Sequence, residues 1–556
     1  MAAFLAFAQT PPPPDGNVLL NTMAQELNRN FTVLKDKADP APYFLSYEVT
    51  DVAYRSISAS LGALTGDDAG RTRALDVSVR VGSPQMDNYR RIRGDRGQFT
   101  SGALLTYDDN PNAIKRRLWL ETDRAYRTAA ERFIRIKTST QVKVAAEDDS
   151  ADFSAEKPAH FEEDTPALQF DRADWATRMR RLSDRFRNYP NVLTSQVGVS
   201  AQTDTRYFVN TEGTRVRHGR GFARITISAS AKAADGTDLS TFETFEAVEA
   251  SGLPDDKKIA AAIDRVATDL TNLLHAPEAE PFVGPAIFSG RAAGVFFHEI
   301  FGHRVEGHRQ KDDSEGQTFT RSVSTKVLPD FLTVVFDPTE RKIGGIDLNG
   351  WYDYDDEGVK GQKVVAVDKG VLKTFLMSRS PIKGVAESNG HGRRQPGLEV
   401  VSRQSNLIVE STHAVPDAQL REMLIAEVKR QNKPYGLFFQ DITGGFTTTA
   451  RAGLQAFKVI PVVVYRVYPD GRPDELVRGA DIVGTPLASF SKILATGNKP
   501  EVFNGYCGAE SGSVPVSAVS PSILVSEIEI EKKAKSNDRP PLLPAPTTLE
   551  TKGAAR

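Results

Sequence analysis

Between Gly294 and Arg309 the chain reads GVFFHEIFGHRVEGHR, and this stretch constrains the fold more than any other. Val295, Phe296, Phe297, Ile300 and Phe301 would bury it whatever its function, yet it holds three of only eight histidines in 556 residues. A buried run with this many polar groups must satisfy them, by hydrogen bonds or by an ion. His298, Glu299 and His303 spell H-E-x-x-x-H. In that arrangement two imidazoles can hold a metal while the neighbouring carboxylate takes a proton from water.

The spacing sets a condition on the backbone. The short zinc motif on a helix places its histidines at i and i+4, whereas here they stand at i and i+5. On a regular α-helix, at about 100° per residue, the second imidazole would lie roughly 140° round from the first. A metal therefore requires a π-bulge or a helix end near Gly302, whose missing side chain permits unusual backbone angles. The residues alone leave two readings open: a metal pair, or two buried histidines that are merely hydrogen-bonded.

Wider motifs favour the first. HEIFGHRVEG, then DDEGVKGQKVVAVDKGVLKTFLMSR from Asp355 to Arg379, NGHGRR from Asn389 to Arg394, and GYCG from Gly505 to Gly508 together resemble the TldD/PmbA family of metallopeptidases. The resemblance runs roughly from Leu20 to Glu531, but its specific motifs lie in the last domain. It implies a TldD-like, metal-binding chain in which Zn²⁺ is held by His298, His303 and Cys507, with Glu299 as general base. His308 departs from the pattern, standing where that branch commonly carries an acidic residue, and is a further candidate ligand. Glu306 is another, although a hydrogen bond to a histidine is its plainer role. Cys507 lies in NGYCGAESG, where Gly505 and Gly508 allow a tight turn that could present the sulfur. Arg393 and Arg394 are candidates to hold a substrate carboxylate or carbonyl, set against an ordinary ion-pairing role.

Charge and cysteine usage exclude some classes. Seventy basic residues against 72 acidic leave a formal charge of −2, so no global field draws the chain to nucleic acid or anionic lipid. A single cysteine rules out an intrachain disulfide. No stretch approaches the roughly 20 apolar residues of a membrane span. The opening MAAFLAFAQTPPPPDG carries a short apolar run ending in Ala6-Phe7-Ala8, which resembles a small-x-small cleavage site without a basic leader. Export is therefore slightly favoured, against the cytoplasmic location that the resemblance implies.

Periodicity divides the rest. Residues 1–15 read as an apolar, proline-rich leader or signal remnant. An N-terminal α+β domain follows at 16–145: Leu20, Met23, Leu27 and Leu34 at helical spacing, strands YFLSYEVTDV, SISASLGAL and ALDVSVRVG with TGDDAG as a turn, and a helix from about Asn112 to Ile136. The acidic stretch at 146–165 reads as a solvated linker or insertion. A central domain at 166–280 has Trp175, Met179, Leu182 and Phe186 on one helical face, then an antiparallel meander and the stripe Ile259, Ile263, Val266, Leu270, Leu273. The C-terminal domain, 281–535, holds the motif helix among strands that include FLTVVF, KVVAV and VLKTFLM. A proline-rich, disordered tail at 536–556 closes the chain.

The expected fold is α+β and multi-domain, with mostly antiparallel sheets, packed helices and a zinc site on a distorted helix. The expected function is hydrolysis of peptide bonds in peptides or unfolded protein segments. The resemblance also implies a homodimer or a heterodimer with a paralogue. Two rivals are a non-catalytic subunit of such a dimer, whose branch lacks the histidines and glutamate this chain keeps, and a zinc hydrolase of non-peptide amides.

Overall fold

The computed structural model describes residues 17–91, 100–140, 148–312, 314–451, 457–484, 489–535, 538–543 and 546. The leader at 1–15 lies outside them, as do 536–537, 544–545 and 547–556 of the tail. Within the described part of the tail, Arg539 Nη1 donates to Asp235 O at 3.1 Å. The architecture is α+β, built on two large sheets.

Helix α1 (Val18–Lys37) starts where Asn17 Oδ1 accepts from Leu20 N at 2.9 Å, a side-chain cap for an otherwise orphaned donor. Strands β1 (Pro42–Ser60) and β2 (Ala63–Ser83) form one long hairpin. The TGDDAG sequence, expected as a turn, lies inside β2, with Gly66 opposite Ser58 and Gly70 opposite Tyr54. The turn falls at Leu61 and Gly62, with φ of 50° and 87°, the pair of positive values that a two-residue hairpin loop needs. YFLSYEVTDV and the start of SISASLGAL are therefore one strand.

After α2 (Pro111–Thr140) and α3 (Arg172–Ser183) come β3 (Thr194–Asn210), β4 (Arg215–Lys232), β5 (Asp238–Ala247) and α4 (Asp256–His275). The strand order β2–β1–β3–β4–β5 is antiparallel throughout. The segments expected as two domains thus share one sheet, joined where β1 pairs with β3. Alternation along β1 explains how one sheet serves several partners. Leu45, Tyr47 and Val49 pack with α1 and α2, while Ile57 and Ala59, of the same parity, pack with α3 and α4. Glu48, of opposite parity, meets the C-terminal domain through Arg394.

The acidic stretch between these segments is not a solvated linker in its described part. Asp152 accepts from Asp87 N at 3.0 Å and pairs with Arg90. Phe153 is buried against Phe44, with the Arg80 and Arg379 guanidinium groups against its ring. Two residues in the middle of an acidic sequence, Asp152 and Phe153, supply the anchor.

The C-terminal domain begins with β6 (Phe282–Phe288) and α5 (Gly290–Ile300), followed by β7 (Leu332–Phe336), β8 (Val364–Asp368), β9 (Asn406–Ser411), α6 (Asp417–Arg430), β10 (Gly436–Thr447), β11 (Phe457–Val467), β12 (Ala480–Gly484), β13 (Ile493–Ala509) and β14 (Gly512–Lys532). Because β6 pairs with both β10 and β14, the strands β14–β12–β11–β10–β6 close into a ring. Lys369 and Gly370, at φ 46° and 78°, turn the chain after β8 as expected. Of VLKTFLM, however, only Val371–Leu372 pairs back as strand. Its later part answers a different backbone: Leu376 N donates to Val305 O and Gly307 N to Leu376 O, each at 2.8 Å. This places Leu376 and Met377 behind the histidine motif.

Candidate metal centre

The motif helix stops where the spacing required it to stop. Helix α5 ends at Ile300, and Gly302–Val305 continue as a tighter turn of 3₁₀ type. Ser289 caps the start, its Oγ accepting from Ala292 N at 3.1 Å. At the end, Arg304 Nη1 donates to Ile300 O at 2.9 Å and to Thr447 Oγ1 at 2.8 Å, and Gln404 Nε2 donates to His298 O at 3.2 Å. These donors satisfy carbonyls that a helix end leaves orphaned. Gly302 is needed for space rather than for unusual angles, since a Cβ there would lie 1.9 Å from Gln404 Oε1.

The turn brings His303 back beside His298, with ring centroids 5.1 Å apart. Cys507 completes the cluster from the far end of the chain. It sits within β13, opposite Val514 of β14, and the hairpin reverses at Glu510–Ser511. The expected tight turn at Gly505 and Gly508 is thus a continuous strand, and it is the alternation of β13 that aims the sulfur. His298 Nε2 is 3.1 Å and His303 Nε2 3.3 Å from Cys507 Sγ. A tetrahedral ion with Zn–N of about 2.0–2.1 Å and Zn–S of about 2.3 Å separates its nitrogen and sulfur ligands by roughly 3.5 Å. The donor set is therefore of the type and size that zinc takes. All three side chains are buried.

Charge around the cluster suits the same purpose. Burial alone would raise the Cys507 thiol, but the two imidazoles pull it well below its ordinary value. Burial opposes charge on His303 as well, yet Cys507 and Glu306 hold its pKa well above the usual histidine range. His303 Nδ1 donates to Glu306 Oε2 at 3.1 Å, the carboxylate–histidine contact that fixes a ligand's orientation. Glu306 is fully buried, and burial would raise its pKa. His303, Arg309 and Arg403 outweigh that and bring it down to about 2. Arg309 Nε donates to it at 2.8 Å.

The remaining candidates fall elsewhere. His308 is not among the three clustered donors: it hydrogen-bonds Glu510, which also accepts from Arg309 Nη2 at 2.8 Å. Arg393 and Arg394 do not reach the site. Arg394 Nη2 donates to Glu48 Oε2 at 2.5 Å, and Arg393 Nη1 donates to Gln404 O at 2.6 Å while its guanidinium stacks on Tyr352. Both are buried, Arg394 engaged with Glu48 of the first sheet and Arg393 with partners inside the C-terminal domain. They are neither exposed ion-pairing residues nor groups open to a substrate.

Glu299 lines a cleft of about 770 Å³ together with His298, His303 and Cys507. The cleft runs between β4 and β5 of the first sheet, which contribute Arg224, Phe242 and Thr244, and residues 443–450 at the end of β10. Gly445 lets β10 pass close to the carboxylate, since a Cβ there would lie 2.9 Å from Glu299 Cγ. From Asp441 to Thr447, β10 pairs with β11 on one edge and has no strand partner on the other among the described residues. Arg304, Gln404, Arg309 and this strand edge were not found from sequence. Only the Gly-Gly at 444–445 offered a local sign, of a strand passing close to another group.

Residues 283–532 match the family described as the PmbA/TldA metallopeptidase C-terminal domain. A metalloprotease of Archaeoglobus fulgidus is 30% identical over 272 residues, covering 48% of this chain and 56% of that protein. A zinc metalloprotease TldD homolog of Saccharolobus solfataricus is 24% identical over 249 residues, covering 44% of this chain and 51% of that protein. The chain spans about half the length of these curated relatives. The fold is similar to that of TldE from Thermococcus kodakarensis, with a TM-score of 0.63 at 13% identity over 92% of this chain and 100% of that one.

Proposed function

Through the domain that carries the clustered histidines and cysteine, the chain belongs to the TldD/PmbA family of metallopeptidases, and on that premise we propose that it is a zinc-dependent peptidase acting on extended peptide segments. The observation that carries the reading is the convergence of His298, His303 and Cys507 beside Glu299 in one cleft. His298 Nε2, His303 Nε2 and Cys507 Sγ would hold the ion. When bound, Zn²⁺ supplies Lewis acidity that polarises a scissile carbonyl and makes water a better nucleophile near neutral pH.

The protein's own groups do the rest. Glu299 accepts the proton of the attacking water and delivers it to the leaving amine, general-base and then general-acid work. Glu306, kept ionised by Arg309 and Arg403, holds the His303 ring with Nε2 towards the cleft. The open edge of β10 offers backbone groups along which an extended chain can lie, which favours a locally unfolded substrate. No helix among the described residues is long and apolar enough to cross a membrane.

The test is Glu299→Gln, which keeps size and removes basicity. Peptide cleavage should fall by about 10²–10⁴-fold while zinc content, read by elemental analysis, stays unchanged. Cleavage at the normal rate by that variant would refute the role of Glu299.

A further inference from the structure

A second group of metal-ligating side chains lies apart from the cleft, where the first sheet meets the C-terminal domain. Glu163 follows the short strand His160–Glu162, His218 belongs to β4, and Asp353 belongs to the loop between β7 and β8. One donor atom from each lies within 4.8 Å of the other two. None of the three lines the cleft that holds Glu299. We propose that Glu163, His218 and Asp353 form a second site for a divalent first-row cation of the Zn²⁺ type, which ties β4 to the Asp353 loop.

Two carboxylates and an imidazole are an oxygen–nitrogen donor set suited to such ions, and three protein donors leave a position for water. Independent support comes from His218 itself. It is only 7% exposed, with the Tyr354 ring centroid 6.2 Å from its own. Burial first, then Arg206 and Arg220, push its pKa down to about 3, so at neutral pH its lone pair is free. Those two arginines are themselves paired, Arg206 with Glu48 and Arg220 with Asp204.

The carboxylates are held in place without being used up. Gly219 N donates to Glu163 Oε1 at 3.1 Å, and Glu163 N donates to Arg217 O at 3.1 Å. Asp353 O accepts from Gly361 N at 2.8 Å, and its carboxylate meets Arg341 at 3.0 Å. Arg341 is 56% exposed, and so exposed a pair contributes little and yields readily to a cation. His218 also lines a cavity of about 170 Å³.

The experiment is zinc stoichiometry by elemental analysis after dialysis against Zn²⁺ and removal of free metal. The full chain should hold about two molar equivalents, and the His298→Ala/His303→Ala variant about one, since three protein donors suffice for each ion. His218→Gln and Asp353→Asn should each remove one equivalent, with circular dichroism unchanged. Added Zn²⁺ should raise the melting temperature of His298→Ala/His303→Ala and leave that of the same variant carrying His218→Gln unmoved. A His298→Ala/His303→Ala protein free of zinc, or full zinc content in both His218→Gln and Asp353→Asn, would overturn the proposal. A single equivalent that survives His298→Ala/His303→Ala and leaves with His218→Gln would uphold this site and sink the peptidase reading instead.

Discussion

At the scale of single residues, the cluster discriminates sharply between neighbours. Cys507 touches both imidazoles, whereas His308, only five residues past His303, is turned to Glu510. Cys507→Ala should therefore lose most bound zinc and most activity, and His308→Ala little of either, measured by elemental analysis beside a cleavage assay. Zinc that stays with Cys507→Ala and leaves with His308→Ala would assign the third ligand wrongly. Gly302 gives a second case. A methyl group there meets Gln404 at 1.9 Å, so Gly302→Ala should cost about 1–3 kcal/mol, as overpacking does. The loss should be partly restored in Gly302→Ala/Gln404→Ala, and equal loss in single and double variants would remove the steric account. Sequence spacing disclosed His298, Glu299 and His303, and the resemblance disclosed Cys507. Nothing local marked the reach of Gln404 to His298 or of Arg304 to Thr447, because each spans more than a hundred residues.

Among elements, helices were legible because their apolar stripes repeat within a few residues. The stripes of α3 and α4, and Leu20, Met23 and Leu27 of the α1 stripe, are the faces that pack in the structure, whereas Leu34 is only half-buried. Strands were legible in kind and not in extent. Aspartates and glycines in TGDDAG read as a turn, yet the strand runs on through them. The true turn at Leu61 carries a residue that sequence rules do not place at positive φ. That misfit gives a prediction. Asn tolerates this conformation far better than Leu and is favoured before Gly in such loops, and Leu61 is 45% exposed. Leu61→Asn should therefore stabilise the protein by roughly 0.5–1 kcal/mol, seen as a higher melting temperature. A lowered value would mean that Leu61 earns its place by packing.

For the whole molecule, the two large sheets are joined through buried charge. Arg394 and Arg206 from opposite sides share Glu48, and Arg206 also pairs with Asp356. Arg394→Met strands Glu48 with a weaker set of partners, so it should cost about 3–5 kcal/mol, as breaking a buried pair does. KM for a peptide should not change, because the side chain never reaches the cleft. A raised KM with unchanged melting would restore Arg394 as a substrate contact. Such long-range pairing was invisible in the sequence, since Glu48 and Arg394 lie 346 positions apart. The separation of 209 residues between His298 and Cys507 has its own consequence during synthesis. At roughly 5–20 residues per second, the ribosome adds the thiolate some 10–40 s after both histidines have been made. A nascent or truncated chain ending before Cys507 has two imidazoles and no sulfur, so the three-donor cluster is assembled only once nearly all of the polypeptide exists.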